Sequence, residues 1–417
     1  GLNGVLNSSQ PAQLDWKLNG IRHSRSIEYE NRYTRLTYLH DGSVSKLSQG
    51  TSDDETDSNV SWISYRQHFF SSILINPDSF ANVSMTSNQQ FEDENPNEKY
   101  VKLYTASTPL EIKGGELNYN MHWYYGPTDA RVFKKYKDLD LAESIPFGWG
   151  IFGFINKHVF TPLYDFLSSV FPYGIAIIVM TIIVRIALSP VTYKSYVSQA
   201  KMKVIKPEVT EISQKYKDNP MKRQQETMKL YSKAGVSPMS GCVPGLLQIP
   251  VFYALFMFFP TAIMLRQKSF LWADDLSSYD IVYKFPEGFK IPFYGDHVSL
   301  FTLLMTVSTL IYTYMNQQLT GQNQQYPQLK YMVYLMPIVF LGVFNNYAAG
   351  LSYYYFVANM ITFGQQFAIR AYIDEDKIHA KMQEKKKQPT KENRFMRRMR
   401  ELQEQQEQNT RQGRRKK

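Results

Sequence analysis

Four long stretches of this chain carry no charged side chain. They run from Phe166 to Val184, Ala234 to Leu265, Val298 to Leu329 and Tyr331 to Ile369. A bilayer core about 30 Å thick takes about 20 apolar residues at 1.5 Å rise each. The last run is too long for one crossing, and Asn345-Asn346-Tyr347-Ala348-Ala349-Gly350 lies inside it as a turn signal. The sequence therefore predicts five spans, at 168–190, 243–263, 299–317, 329–346 and 350–369. The slightly polar mean hydropathy hides them, because the apolar residues are concentrated rather than spread. Four such runs crowded into the C-terminal part of one chain argue against buried helices of a soluble protein.

The segments between the runs differ in charge. Residues 1–165 hold 15 Lys/Arg and 20 Asp/Glu; residues 191–241 hold 10 and 4; residues 263–298 hold 4 and 5; the tail 370–417 holds 16 and 8. Basic loops stay on the cytoplasmic side. Five spans then place residues 1–165 and the loop 264–298 outside, with 191–241 and the tail inside. The single cysteine excludes an internal disulfide and a cysteine-built metal site. The chain opens at Gly1 without a signal peptide, and is expected to be truncated there.

Residues 1–146 predict strands. Leu117, Tyr119, Met121, Trp123 and Tyr125 alternate with polar or smaller neighbours at a period of two. Leu36, Tyr38 and His40 lead into Asp41-Gly42, a hairpin pair. The Ser/Asn/Asp-rich stretches at 50–60 and 85–98 predict surface loops, and a β-sandwich is the expected architecture. Residues 147–167 predict an amphipathic helix lying on the outer membrane face. In the basic loop, Met202, Ile205, Val209, Ile212 and Tyr216 are spaced 3, 4, 3, 4, a coiled-coil seam. Lys217-Asp218-Asn219-Pro220 predicts a turn, Met221, Met228 and Tyr231 the returning seam, and Gly235 its end. Pro207 is expected to start or kink the first of these helices. The hairpin reads as a docking element, or as a charged loop that only orients the protein. The tail, with Arg394, Arg397, Arg398, Arg400, Arg411, Arg414, Arg415, Lys416 and Lys417, suits phosphate on anionic lipids or on ribosomal RNA. DNA is not an expected partner.

Arg185 interrupts the first span. A charge at the bilayer centre costs roughly 2.5–3.5 kcal/mol on insertion scales, so such a residue marks function by default. It lies about 9 Å from the expected cytoplasmic surface, by helical rise from residue 191, so snorkelling is the alternative account. No Asp or Glu occurs in any of the five spans, which leaves water and dipoles to solvate the guanidinium. Thr181 and Ser189 stand four residues to either side on one helical face. Gln248 and the tyrosines Tyr353, Tyr354 and Tyr355 could add dipoles, and together these residues could line a wet, positively charged recess. No intramembrane His and no G-x-S-x-G motif offers covalent chemistry. Ion-coupled transport would need intramembrane carboxylates. The expected protein is not an enzyme, needs no cofactor or metal, and assists by solvation; a small-solute channel or transporter is the alternative.

Several motifs, taken in order, resemble the YidC/Oxa membrane protein insertases, above all the Gram-negative YidC form. They are MTIIVRIALSPVT at 180–192, AKMK at 200–203 with Pro207, GCVPGLLQIPVF at 241–252, LWADDL at 271–276, MPIVF at 336–340 and AGLSYYYFVAN at 349–359. Residues from Trp62 to Phe70 and Tyr125-Gly126-Pro127 resemble the end of that family's extracytoplasmic domain. The resemblance implies a membrane all-α five-helix core, an N-terminal extracytoplasmic all-β sandwich and a cytoplasmic helical hairpin. It implies a groove closed to the outside, with Arg185 as the groove arginine and Thr181 its neighbour, Gln248 and Tyr355 at groove-facing positions and Tyr354 beside them. It further implies a bacterial inner-membrane location, and nascent membrane proteins, the Sec translocon and the ribosome as partners. One departure is visible: Ala348 stands where many relatives have proline, which implies a less rigid final hairpin.

Overall fold

The computed structural model describes residues 12–92, 97–112, 116–136, 139–236, 243–320 and 327–372, with isolated positions between 378 and 384. The basic arginines from Arg394 onward, and the middle of the 318–328 loop, lie outside the described residues. The chain divides into two compact bodies. The first comprises Gly1–Ile183, Gln248–Ser308 and Pro337–Asn359; the second comprises Val184–Leu247, Thr309–Met336 and Met360–Lys417.

The N-terminal part of the first body is all-β, as expected. Its elements are β1 (Ala12–Ile21), α1 (Ile27–Asn31), β2 (Arg35–His40), β3 (Ser43–Lys46), β4 (Asp53–Arg66), β5 (Phe70–Gln89), β6 (Tyr100–Leu110), β7 (His122–Pro127) and α2 (Ala130–Phe133). All pairings are antiparallel, in the order β1-β6-β5-β4-β2-β3, with β7 paired to the first half of β5. The two layers come from one sheet that curls over. Trp16 on β1 stacks on Tyr65 of β4 at 3.7 Å, although two strands separate them in the hydrogen-bonded order. Alternation then sorts the core. Ile63, Tyr65 and Leu74 join Trp16 and Tyr104 on one face, whereas Trp62, Ile73 and Ile75 join Tyr124 and Phe133 on the other.

Local chemistry explains the turns. Asp41 and Gly42 both have positive φ, 46° and 74°. A two-residue hairpin such as that between β2 and β3 requires this. Two expectations need correction. Within the polar stretches at 50–60 and 85–98, residues 53–60 and 85–89 are strand, because Asp53 to Ser58 pair with Ser87 to Asn82, whereas 90–92 and 97–98 are not. The β4 side chains of this arm mostly face solvent, while Val83 and Met85 of β5 are buried in the core. The alternating run at 117–125 becomes strand only from His122.

The segment expected as one interfacial helix is α3 (Gly150–Ile155), a π-helical turn at Asn156–Phe160 and α4 (Thr161–Val170). Gly148 has φ 103°, and a Cβ on Gly153 would lie 2.5 Å from the Gly148 carbonyl oxygen. Both glycines therefore serve this bend. The helix over the first expected span, 168–190, begins at Tyr173, after Phe171-Pro172, and runs on past 190. α5 (Tyr173–Lys215) is one helix of 43 residues that carries both Pro190 and Pro207 in its interior, so Pro207 starts nothing.

α6 (Pro220–Ala234) returns from the predicted turn. Asn219 caps it by accepting from Lys222 N at 3.0 Å. Gly235 ends it in the left-handed conformation, at φ 64°. The seam between α5 and α6 is Met202, Ile205 and Val209 against Tyr231, Ala234 and Met228. Ile378 and Met382 join it. Met221 is exposed and takes no part. The remaining helices are α7 (Val243–Thr261), α8 (Leu300–Thr320), α9 (Pro327–Asn345) and α10 (Ala349–Tyr372). Among the described residues, α5 is long and apolar enough to cross a membrane alone, and Gly245–Thr261, Leu300–Asn316 and Met332–Asn345 are shorter apolar helices.

Candidate functional site

The loop 264–298 fixes one end of the helices of the first body. Buried Asp280 accepts from Trp272 Nε1 at 2.8 Å, from Leu300 N at 2.9 Å, from Phe301 N at 3.2 Å and from the Ser299 hydroxyl. A carboxylate there satisfies the first amides of α8 and meets its positive dipole end. Asn345, at the end of α9, accepts from Ser299 N at 2.9 Å and donates to the carbonyls of Tyr294 and His297. The α9–α10 turn is held by Ala349 N donating to Ser278 O at 2.7 Å and Gly350 N donating to Leu276 O at 2.9 Å. A Cβ on Gly350 would lie 2.7 Å from the Phe259 ring and 2.9 Å from Leu276 O. Only glycine fits there.

The sheet domain joins this end directly. His68 donates through Nε2 to the Pro260 carbonyl at 2.7 Å, while Nδ1 accepts from the Ser24 hydroxyl at 3.2 Å. The first of these bonds caps an open carbonyl at the end of α7. Burial holds this imidazole neutral, its pKa lowered to about 3. Tyr33 and Tyr347 share a hydroxyl hydrogen bond at 2.5 Å, and Tyr29 sits edge-on to both rings.

The six residues singled out from the sequence divide between the bodies. Thr181, Gln248, Tyr354 and Tyr355 belong to the first, Arg185 and Ser189 to the second. In the first body α7 and α10 face each other through rings: Phe252 lies 5.3 Å from Tyr355, Tyr355 lies 5.2 Å from Tyr354, and Tyr354 lies 6.1 Å from Phe259. Gln248, one turn before Phe252, is half-buried, as is Tyr355. Tyr354 and Thr181 are fully buried, and the Thr181 hydroxyl donates to Ile177 O in its own helix at 2.6 Å. In the second body Arg185 and Ser189 are both half-buried on α5. Around them the helix shows lipid-like side chains: Ile182, Ile183 and Ile186 are 40%, 40% and 63% exposed.

Polar pairs that the sequence reading missed connect α8 with α10. Thr302 and Ser352 share a hydrogen bond at 3.1 Å and Asn359 donates to Ser308 at 2.9 Å in the first body; Gln366 donates to Asn316 at 3.2 Å in the second. Such bonds between apolar helices contribute about 0.6 kcal/mol each and fix register. Their signal was present as small polar residues within uncharged runs, but pairing them requires the helix register. No group of His, Cys, Asp and Glu among the described residues could hold a metal ion.

The chain is similar to known proteins throughout. Residues 165–379 match the family model described as 60Kd inner membrane protein, and residues 4–162 match the YidC periplasmic domain. It is 44% identical over 416 residues to the membrane protein insertase YidC of Parabacteroides distasonis, covering 95% of this chain and 65% of that protein. It is 40% identical over 404 residues to the protein of the same name from Bacteroides fragilis, covering 93% and 64%. The chain thus spans about 65% of the length of these relatives. It aligns at 20% identity with the crystal structure of an active YidC insertase whose first transmembrane domain is resolved, over 79% of this chain and 82% of that one, with a TM-score of 0.40. A family model matched over the helical half, with the periplasmic domain model before it, means that this chain belongs to the 60 kDa inner membrane protein (YidC) family.

Proposed function

We propose that this protein is a membrane protein insertase. It draws a hydrophilic segment of a nascent membrane protein part-way into the bilayer through a positively charged recess, and releases the adjoining apolar helix sideways into lipid. The residues proposed for the recess from the sequence are Arg185, Thr181, Ser189, Gln248, Tyr354 and Tyr355, and its action needs no covalent step, cofactor or metal. Residues 1–165 face the periplasm, five helices span the inner membrane, and the hairpin and basic tail face the cytoplasm, where the ribosome, the Sec translocon and anionic lipids are the proposed partners. One observation carries the reading: a part-exposed guanidinium at Arg185 within a helix whose neighbouring isoleucines are exposed as a lipid-facing helix requires. The relatives at 44% and 40% identity that bear the insertase name support it.

The test is reconstitution of the full chain in liposomes with a single-span client. Wild-type vesicles are expected to insert the client well above protein-free vesicles, and insertion no better than in empty vesicles overturns the proposal. Arg185→Ala is expected to lower insertion, and full activity in that variant removes the electrostatic attraction from the mechanism. Passage of small solutes through wild-type vesicles would favour a channel instead.

A further inference from the structure

A cavity of about 960 Å³ lies in the first body between the sheet domain, the 143–158 segment and α7. Its polar wall is cationic. Arg32, Arg35, Lys46 and Arg66 line it from the sheet domain. Arg66 is buried and, among the described residues, donates to backbone carbonyls, Nε to Tyr33 O at 3.2 Å and Nη1 to Ser144 O at 2.6 Å. The Nε of Arg35 is buried and meets no acceptor among the described residues. Glu143, the only carboxylate among the described lining residues, is already paired with Lys157 at 2.8 Å. Asp53, whose charge acts on Arg35, accepts from Ser48 N at 2.5 Å. Burial lowers the pKa of Arg35, Lys46 and Arg66, the last to about 10, and at Lys46 the charges of Arg35 and Arg66 lower it further.

Buried cations are normally matched by anions of the protein; of these four, Arg66 is buried and Arg35 half-buried, while Arg32 and Lys46 are exposed. Here the described lining supplies none beyond the Glu143 already engaged, so the arrangement is built for an anion from outside. Guanidinium forks suit phosphate oxygens. The opposite wall is apolar: Tyr253, Phe256 and Met257 of α7, with Phe154 and Trp149 at 61% and 68% exposure on the segment read as lying at the membrane face. Exposed tryptophan beside an amphipathic segment is the pattern of a membrane interface. A soluble phosphate would use only the cationic wall, whereas a lipid uses both.

We propose that this cavity holds the phosphate head of an anionic phospholipid from the outer leaflet, with the acyl chains leaving along Tyr253, Phe256 and Met257. The inference rests on the membrane reading of residues 147–261 and not on client insertion. Native mass spectrometry of the full chain in detergent tests it, with dioleoylphosphatidylglycerol, dioleoylphosphatidylcholine and inorganic phosphate as probes. One saturable phosphatidylglycerol site is expected, and the double variant Arg35→Gln, Lys46→Gln should bind about tenfold more weakly, a difference of about 1.4 kcal/mol. Lys17→Gln, at an exposed position on β1, should bind like wild type. If the double variant does not fold, Arg32→Gln at an exposed site should show the same loss in smaller degree. Equal binding of phosphatidylcholine, or affinity unchanged in the cavity variants, overturns the proposal. Displacement of the lipid by inorganic phosphate at matched concentration assigns the site to a soluble anion and overturns the lipid assignment. A chain that binds the lipid but inserts no client refutes the insertase reading and leaves this site standing.

Discussion

Two helical hairpins of this chain are held by opposite chemistries. The α9–α10 turn is fixed by directional bonds: Asn345 to three backbone partners, Ala349 and Gly350 to backbone carbonyls, and Gly350 packed against Phe259 and Leu276. The α5–α6 hairpin is held by an apolar seam containing Met202, Met228 and Met382. Directional bonds tolerate one geometry, because a displaced buried donor or acceptor loses its partner. Methionine adapts to irregular gaps and tolerates repacking. The first hairpin is therefore expected to open only with the whole body, and the second to open locally at lower cost.

Asp280→Ala attacks the rigid side most severely. It leaves Trp272 Nε1 and two α8 amides without their acceptor, at a cost on the order of 3 kcal/mol. Thermal unfolding in detergent should show a clearly lower transition, and an unchanged one would break the comparison. Gly350→Ala should cost about 2 kcal/mol by overpacking and destabilise the same transition. Next in size is acid. The folded pKa of His68 lies below its ordinary 6.5, so the unfolded chain binds the extra proton. Stability is then full above pH 6.5 and falls progressively toward about 3. By pH 5.5 the loss is about 1.4 kcal/mol, and His68→Gln should flatten the pH dependence of unfolding over that window. Ile205→Val is the smallest change, about 1 kcal/mol. Hydrogen exchange should rise within 202–234 and stay unchanged at 299–302; a rise at both would mean that the two hairpins open together.

Much of the helical half was legible because it depends on local pattern. The uncharged runs marked the helices, the 3–4 spacing marked Met202, Ile205 and Val209, and Asn219 and Gly235 marked the ends of α6. What depended on register between distant segments was not legible. Thr302 with Ser352, Ser308 with Asn359, and His68 with Pro260 are 50, 51 and 192 residues apart. Pro207 misled for a different reason. A proline inside a helix removes one amide and predicts a start or a kink, yet α5 reaches it unbroken from Tyr173, so the span and the first hairpin helix were drawn as two elements. Among the site residues, polarity within an apolar run identified Arg185 and Gln248, but nothing local shows that Thr181 and Tyr354 are fully buried while Tyr355 is only partly so.

The continuity of α5 has a mechanical consequence. At the helical rise per residue, its part in the second body, Val184–Lys215, makes a lever roughly 48 Å long. Such a rod is stiff except where an amide is missing, and Pro190 and Pro207 are the two interior positions that lack one. A load applied at the Lys215 tip therefore flexes the rod first at these two points, and Pro190 is the nearer of them to Arg185.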